Sequence, residues 1–181
     1  MNKTWMVIDV ESVGLHGEAF AVGIVIIQNG FTTYEACYAC PSVEAVGVPE
    51  DRLWVEKNCL GIVVNCSNPK EVRDKFWKDW LNWKAQGAFL VADCAWPVEG
   101  RFLARCVMDD HCARNWLGPY PLHDVASMMM ALGKDPLAKY PRLPNEVPEH
   151  NPLNDARQSA RLLMEIQQIS ESKNRNQGCE K

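Results

Sequence analysis

Two short segments, far apart in the chain, carry side chains that together could act on a phosphodiester. Near the start, Asp9-Val10-Glu11 puts two carboxylates at the end of an apolar run. Near the other end, His150-Asn151-Pro152-Leu153-Asn154-Asp155-Ala156 puts an imidazole five residues ahead of a third carboxylate. Mg²⁺ and Mn²⁺ take hard oxygen ligands, and a carboxylate shared by two such ions holds them ~4 Å apart, where both can stabilise an in-line displacement at phosphorus. A histidine, whose ring titrates near neutrality, can accept the proton of an attacking water. Each residue alone has a plainer role: Asp155 as a first-turn acid favoured by the helix dipole, His150 as the loop residue ahead of it, and Asp9 and Glu11 as the polar end of a strand.

The elements that must position these groups can be read from the pattern. Trp5 to Val10, Ala21 to Ile27 and Phe31 to Cys40 are rich in apolar and β-branched residues and are separated by glycine-containing turns, which predicts three successive antiparallel strands. Pro49-Glu50-Asp51 opens a short helix. Pro69 to Gln86 carries Val72, Phe76, Trp80 and Trp83 on one helical stripe, read as core packing rather than as a platform for stacking bases. Ala88 to Ala95 is a near-continuous apolar run with Asp93 towards its end, as expected of a strand buried on both faces. Pro97 is placed in the first turn of a helix through Phe102 and Leu103, Tyr120 to Val125 in a short strand, and Ala126 to Leu132 in a methionine-rich helix. Residues 133–148 hold four prolines and read as a loop leading into His150; the last helix is expected from Asn151 to about Ile169. In an α/β sheet of this kind ligands gather where strand ends and helix starts converge, and Asp9, Asp93 and the 150–155 segment can all reach one such edge.

Composition narrows the function. At 181 residues, 47% hydrophobic and 23% charged, the chain suits one soluble domain, assigned to residues 1–170 with a polar, disordered tail at 171–181. The start lacks a signal-peptide pattern and no apolar run approaches the ~20 residues needed to span a bilayer, so a cytoplasmic location without membrane contact is expected. A net charge of −4 argues against an extended grip on duplex nucleic acid, which needs a strongly basic face, but is compatible with a short single-stranded end. The eight cysteines read mostly as small buried residues; Cys37 and Cys40 form a lone C-x-x-C that a strand explains better than zinc does. His16 reads as a solvated turn residue, His111 as a surface residue, and His123 as preceding a strand.

Val7 to Leu15 resembles the first motif of the DEDD 3'-to-5' exonucleases, in the subgroup with a catalytic histidine that includes proofreading subunits and oligoribonuclease. His150 to Ala156 resembles their third motif, with Pro152 where alanine is usual, and Leu122 to Val125 falls where the family has a short strand before a helix. The resemblance implies a ribonuclease H-like α/β fold, a mixed β-sheet flanked by helices in a single domain. It implies two ions, Mg²⁺ or Mn²⁺, with Asp9 bridging them, Glu11 and Asp155 as further ligands and His150 as general base. It further implies that Val13, Gly14 and Leu15 contact the terminal nucleotide of single-stranded RNA or DNA, with nucleoside 5'-monophosphates as products; a homodimer is compatible with it. The second motif departs from the pattern. Glu99-Gly100-Arg101-Phe102-Leu103 matches Asp-x-x-Phe-Leu with glutamate for aspartate and one residue more after the strand, while Asp93 at the strand end is a rival fourth acid. Two other readings stand beside this one: a non-catalytic binding module on the same fold, and a cysteine- and histidine-based metal-binding regulator.

Overall fold

The computed structural model describes residues 3–178. The strands are β1 (Thr4–Ser12), β2 (Ala19–Gln28), β3 (Phe31–Ala39), β4 (Ala88–Ala92) and β5 (His123–Asp124). The helices are α1 (Pro49–Asn58), α2 (Pro69–Ala85), α3 (Gly100–Met108), α4 (His111–Arg114), α5 (Val125–Ala131) and α6 (Pro152–Gly178).

The strands form one sheet in the order β3-β2-β1-β4-β5. β1, β2 and β3 pair antiparallel, as the three successive apolar runs predict, and β4 and β5 add on parallel to β1. Asn29 and Gly30 turn β2 into β3 with φ of 55° and 80°, the left-handed pair that matches hairpin twist. Because β1 is central and covered on both sides, Met6, Val7 and Ile8 are all fully buried and its sequence does not alternate. One face of the sheet packs Met6, Ile8, Ile24 and Leu90 against Phe76, Trp77 and Trp80 of α2 and Phe102 of α3. The other packs Val7, Val25, Ile27 and Val91 against Met129 of α5 and Ala156, Ala160 and Leu163 of α6. The tryptophan stripe of α2 is therefore core, with Trp80 Nε1 donating to the Leu117 carbonyl at 2.8 Å.

Several expected boundaries move. The fourth strand ends at Ala92, and Pro97 lies in a turn, Ala95–Glu99, broken by extended backbone at Trp96 before α3 begins. His123 lies within β5, its ring edge-on to Trp5 and Phe89, rather than ahead of a strand. Helix α6 continues past Ile169 to Gly178, since residues 170–177 contain no proline or glycine to stop it; of the tail expected at 171–181, residues 179–181 lie outside the described residues. Cys37 and Cys40 are free cysteines at the end of β3, and among the described residues neither belongs to a group able to hold a metal.

Candidate active site

Asp9 pairs with Gly23 across β1 and β2. A Cβ on Gly23 would lie 2.1 Å from the Pro152 carbonyl oxygen, so the missing side chain is what lets the first turn of α6 settle on the sheet beside Asp9. Pro152 occupies the first helical position, where its missing N–H costs nothing, and the Asn151 Oδ1 accepts the Asn154 N–H at 3.5 Å. The helix thus starts with Asp155 in its first turn, facing the acids of β1.

His150 sits immediately before this turn with φ of 57°, a left-handed conformation uncommon outside glycine that reverses the chain between loop and helix. Its Nδ1 lies 3.9 Å from Glu11 Oε1, and its ring meets Trp54 of α1 edge-on at 4.8 Å. Donor atoms of Glu11, His150 and Asp155 all lie within 4.8 Å of one another, the one group of this kind among the described residues. The backbone N–H of His150 also reaches the Asp155 carboxylate.

The second motif brings both of its acids to the same place. The charges of Asp155, Glu11, Glu99 and Asp93 all act on Asp9, which burial first and then these neighbours push well above the usual carboxylate range. Burial, then the Asp155 charge, raises Glu11 to about 7. Glu99 is buried and also raised to about 7, by desolvation first, although it accepts the Val10 backbone N–H. Asp93 is more exposed, just beyond β4, and is raised by desolvation and by Asp124 and Asp155. Asp124 spends both carboxylate oxygens on backbone, accepting the N–H groups of Ala95 and Ser127 at 2.6 Å, and so ties the Asp93 to Glu99 turn to β5.

Sequence reasoning missed three neighbours. Arg142 donates to Asp155 Oδ1 at 2.5 Å and to the Glu146 carbonyl at 2.8 Å, which places a cation against one face of the acids. The segment that carries it is fastened to α6: Arg161 holds the buried Glu146 through both oxygens and the Pro141 carbonyl, and Asn154 donates to the Pro148 carbonyl. This stretch of the 133–148 loop is a strap fixed in place, not a free loop. Trp54 and Cys59 are the other two; the Cys59 thiol donates to Glu11 Oε2 at 3.6 Å. A proline-rich loop carrying one arginine, and a helix exposing one tryptophan, have no spacing that marks them as neighbours of a distant acid.

A cavity of about 370 Å³ opens beside this cluster, lined by Glu11, Gly14, Leu15, Asp51, Trp54 and His150 among others. Val13 is fully buried beneath and lines a second, larger cavity adjoining the first.

No protein-family model matches the sequence, and no curated protein matches it significantly. Solved structures do. One is a 3'-exonuclease described for 3'-end specific recognition of a histone mRNA stem-loop, with a TM-score of 0.50 and 14% identity, covering 93% of this chain and 83% of that one. Another is the zinc-ion-bound form of an E. coli ExoI–ssDNA complex, with a TM-score of 0.54 and 12% identity, covering 91% of this chain and 40% of that one. The chain therefore has the ribonuclease H-like fold of these exonucleases, a five-stranded mixed sheet flanked by helices.

Proposed function

We propose that this chain is a divalent-metal-dependent 3'-to-5' exonuclease of the DEDD type with a catalytic histidine. It would act on single-stranded RNA or DNA and release nucleoside 5'-monophosphates. The observation that carries this reading is the cluster of Glu11, His150 and Asp155, whose ligand atoms lie within 4.8 Å of one another, with Asp9 and Glu99 near enough for their charges to act on one another and a cavity of about 370 Å³ adjoining. Acidic side chains raised by burial and by one another form a poor site for anions and a good one for cations, and an all-oxygen carboxylate set suits Mg²⁺ or Mn²⁺. Asp9, Glu11, Asp155 and Glu99 would hold two such ions, with Asp93 outside them. When bound, the ions lower the pKa of water and offset the charge that develops on the phosphate oxygens.

The remaining roles fall to the chain itself. The imidazole of His150, half exposed and steadied by Trp54, takes the proton of the water that attacks the terminal phosphorus; the P–O3' bond breaks, and the leaving 3'-oxygen takes a proton from solvent to become the 3'-hydroxyl of the shortened strand. Gly14, Leu15 and Trp54 receive the terminal nucleoside in the cavity they line. Arg142, donating to Oδ1, orients the carboxylate of Asp155. Among the described residues no helix is long and apolar enough to cross a membrane.

Incubation with 5'-labelled single-stranded RNA and DNA in Mg²⁺, Mn²⁺ or EDTA tests the proposal, with Asp9→Asn as the control for contaminating nuclease. Shortening from the 3' end that needs metal and Asp9 supports it. Shortening that survives EDTA, or equal shortening by Asp9→Asn, overturns it.

A further inference from the structure

We infer that Asp51 reads the two free hydroxyls of a 3'-terminal ribose, which makes the site selective for RNA ends. This rests on the exonuclease reading and extends it to the class of substrate. Four polar side chains line the cavity beside the acids. Glu11 and His150 belong to the reacting centre, and the Ser12 hydroxyl donates to the Gly14 carbonyl at 2.7 Å. The fourth is Asp51, near the start of α1, half-buried; among the described residues its carboxylate makes no hydrogen bond and no ion pair.

The carboxylate of Asp51 is nevertheless closely placed. A Cβ on Gly14 would fall 2.0 Å from Asp51 Oδ2, and Gly14 has φ of 75°, so both space and backbone there require glycine. Gly14 follows Glu11 by three residues, so their Cα atoms are at most ~10 Å apart, and Glu11 and Asp51 line the same cavity. That space is filled by the sugar of a nucleotide whose phosphate lies at the acids. The base, further out, meets the apolar surfaces of Leu15 and Trp54.

A carboxylate repels phosphate and accepts from neutral donors. A 3'-terminal ribose offers two adjacent O–H donors, 2' and 3', which match its two oxygens; internal riboses have the 3'-oxygen esterified, and a terminal deoxyribose has only one hydroxyl. The arrangement therefore recognises an end and a ribose at once.

The test uses oligodeoxynucleotides that differ only in the last sugar, ribose or deoxyribose, each made with all four terminal bases and assayed with Mn²⁺. A hydrogen bond to a charged acceptor corresponds to a preference of about 10- to 100-fold in kcat/KM. The wild type should favour the ribose end by that factor. Asp51→Asn and Asp51→Ala should bring the ratio close to one, mainly through loss on the ribose end, with thermal unfolding showing that both variants fold. Equilibrium binding of the same oligonucleotides in Ca²⁺ should show the same collapse without turnover.

A wild-type ratio near one, or a ratio that survives Asp51→Ala, overturns the assignment while leaving the exonuclease reading intact. A change in base preference with the sugar ratio unchanged makes Asp51 a base reader and also overturns it. Failure of the wild type to shorten any of these ends overturns both.

Discussion

Replacing Glu99 with glutamine should stabilise the metal-free protein while damaging its activity. Glu99 is 7% exposed, and burial raises it from its ordinary 4.5 to about 7. A carboxyl raised in the folded state favours folding below its unfolded pKa, and that contribution is lost as pH rises through the folded value. By pH 8 the shift corresponds to about 3 kcal/mol of destabilisation by the ionised group. Glutamine keeps an oxygen for the Val10 N–H and removes the charge. For a chain of this size that is an increase in Tm of about 6–12 °C as an upper bound. The assay is thermal unfolding in EDTA at pH 5 and pH 8, wild type against Glu99→Gln. The variant should match the wild type at pH 5 and exceed it at pH 8, and Mn²⁺ should restore much of the wild-type deficit. A variant that is destabilised equally at both pH values would refute the electrostatic reasoning and make Glu99 an ordinary hydrogen-bonding residue.

Other outcomes follow from the same geometry. Asp9→Asn should abolish turnover while raising the metal-free Tm, because burial first and then the neighbouring acids push Asp9 well above the usual carboxylate range; a folded variant with full activity refutes its bridging role. At saturating Mn²⁺, Glu99→Gln should cost orders of magnitude in kcat and Asp93→Asn little, the reverse result exchanging their assignments. Mn²⁺ binding should tighten from pH 6 to pH 8 with release of protons, since Glu11 and Glu99, both at about 7, must ionise to ligate. Calorimetry in buffers of different ionisation enthalpy reads those protons, and a pH-independent affinity contradicts the ligand set. His150→Ala should lower kcat by about 10²–10⁴-fold with a smaller loss of metal affinity, and unchanged turnover would leave the histidine as a loop residue.

The parts of the molecule that were legible in the sequence are those set by short-range pattern. The three leading strands, the α2 stripe and the start of α6 each follow from spacing, and Asp9, Glu11, His150 and Asp155 lie on elements whose edges that spacing marks. The turn from Asp93 to Glu99 was not legible, because the extended backbone at Trp96 and the anchoring of Ala95 by Asp124 depend on a strand 29 residues away. For the same reason spacing left two rival acids where the structure brings both to Asp9. Arg142 and Trp54 reach the site only through tertiary packing, the first on a strap held by Arg161, the second from α1 against the His150 ring. Gly23 is the clearest case of a residue whose role no local rule announces: its partner is the first turn of a helix more than a hundred residues away.

The central claim is tested most directly by following one single-stranded oligonucleotide labelled at both ends, 5' and 3', in Mn²⁺. A 3'-to-5' exonuclease releases the 3' label at once as a nucleoside 5'-monophosphate and leaves a 5'-labelled ladder that shortens one nucleotide at a time, and both should be lost in EDTA and in Asp9→Asn. Internal fragments carrying the 3' label, release of the 5' label first, or no metal-dependent cleavage at all would contradict it.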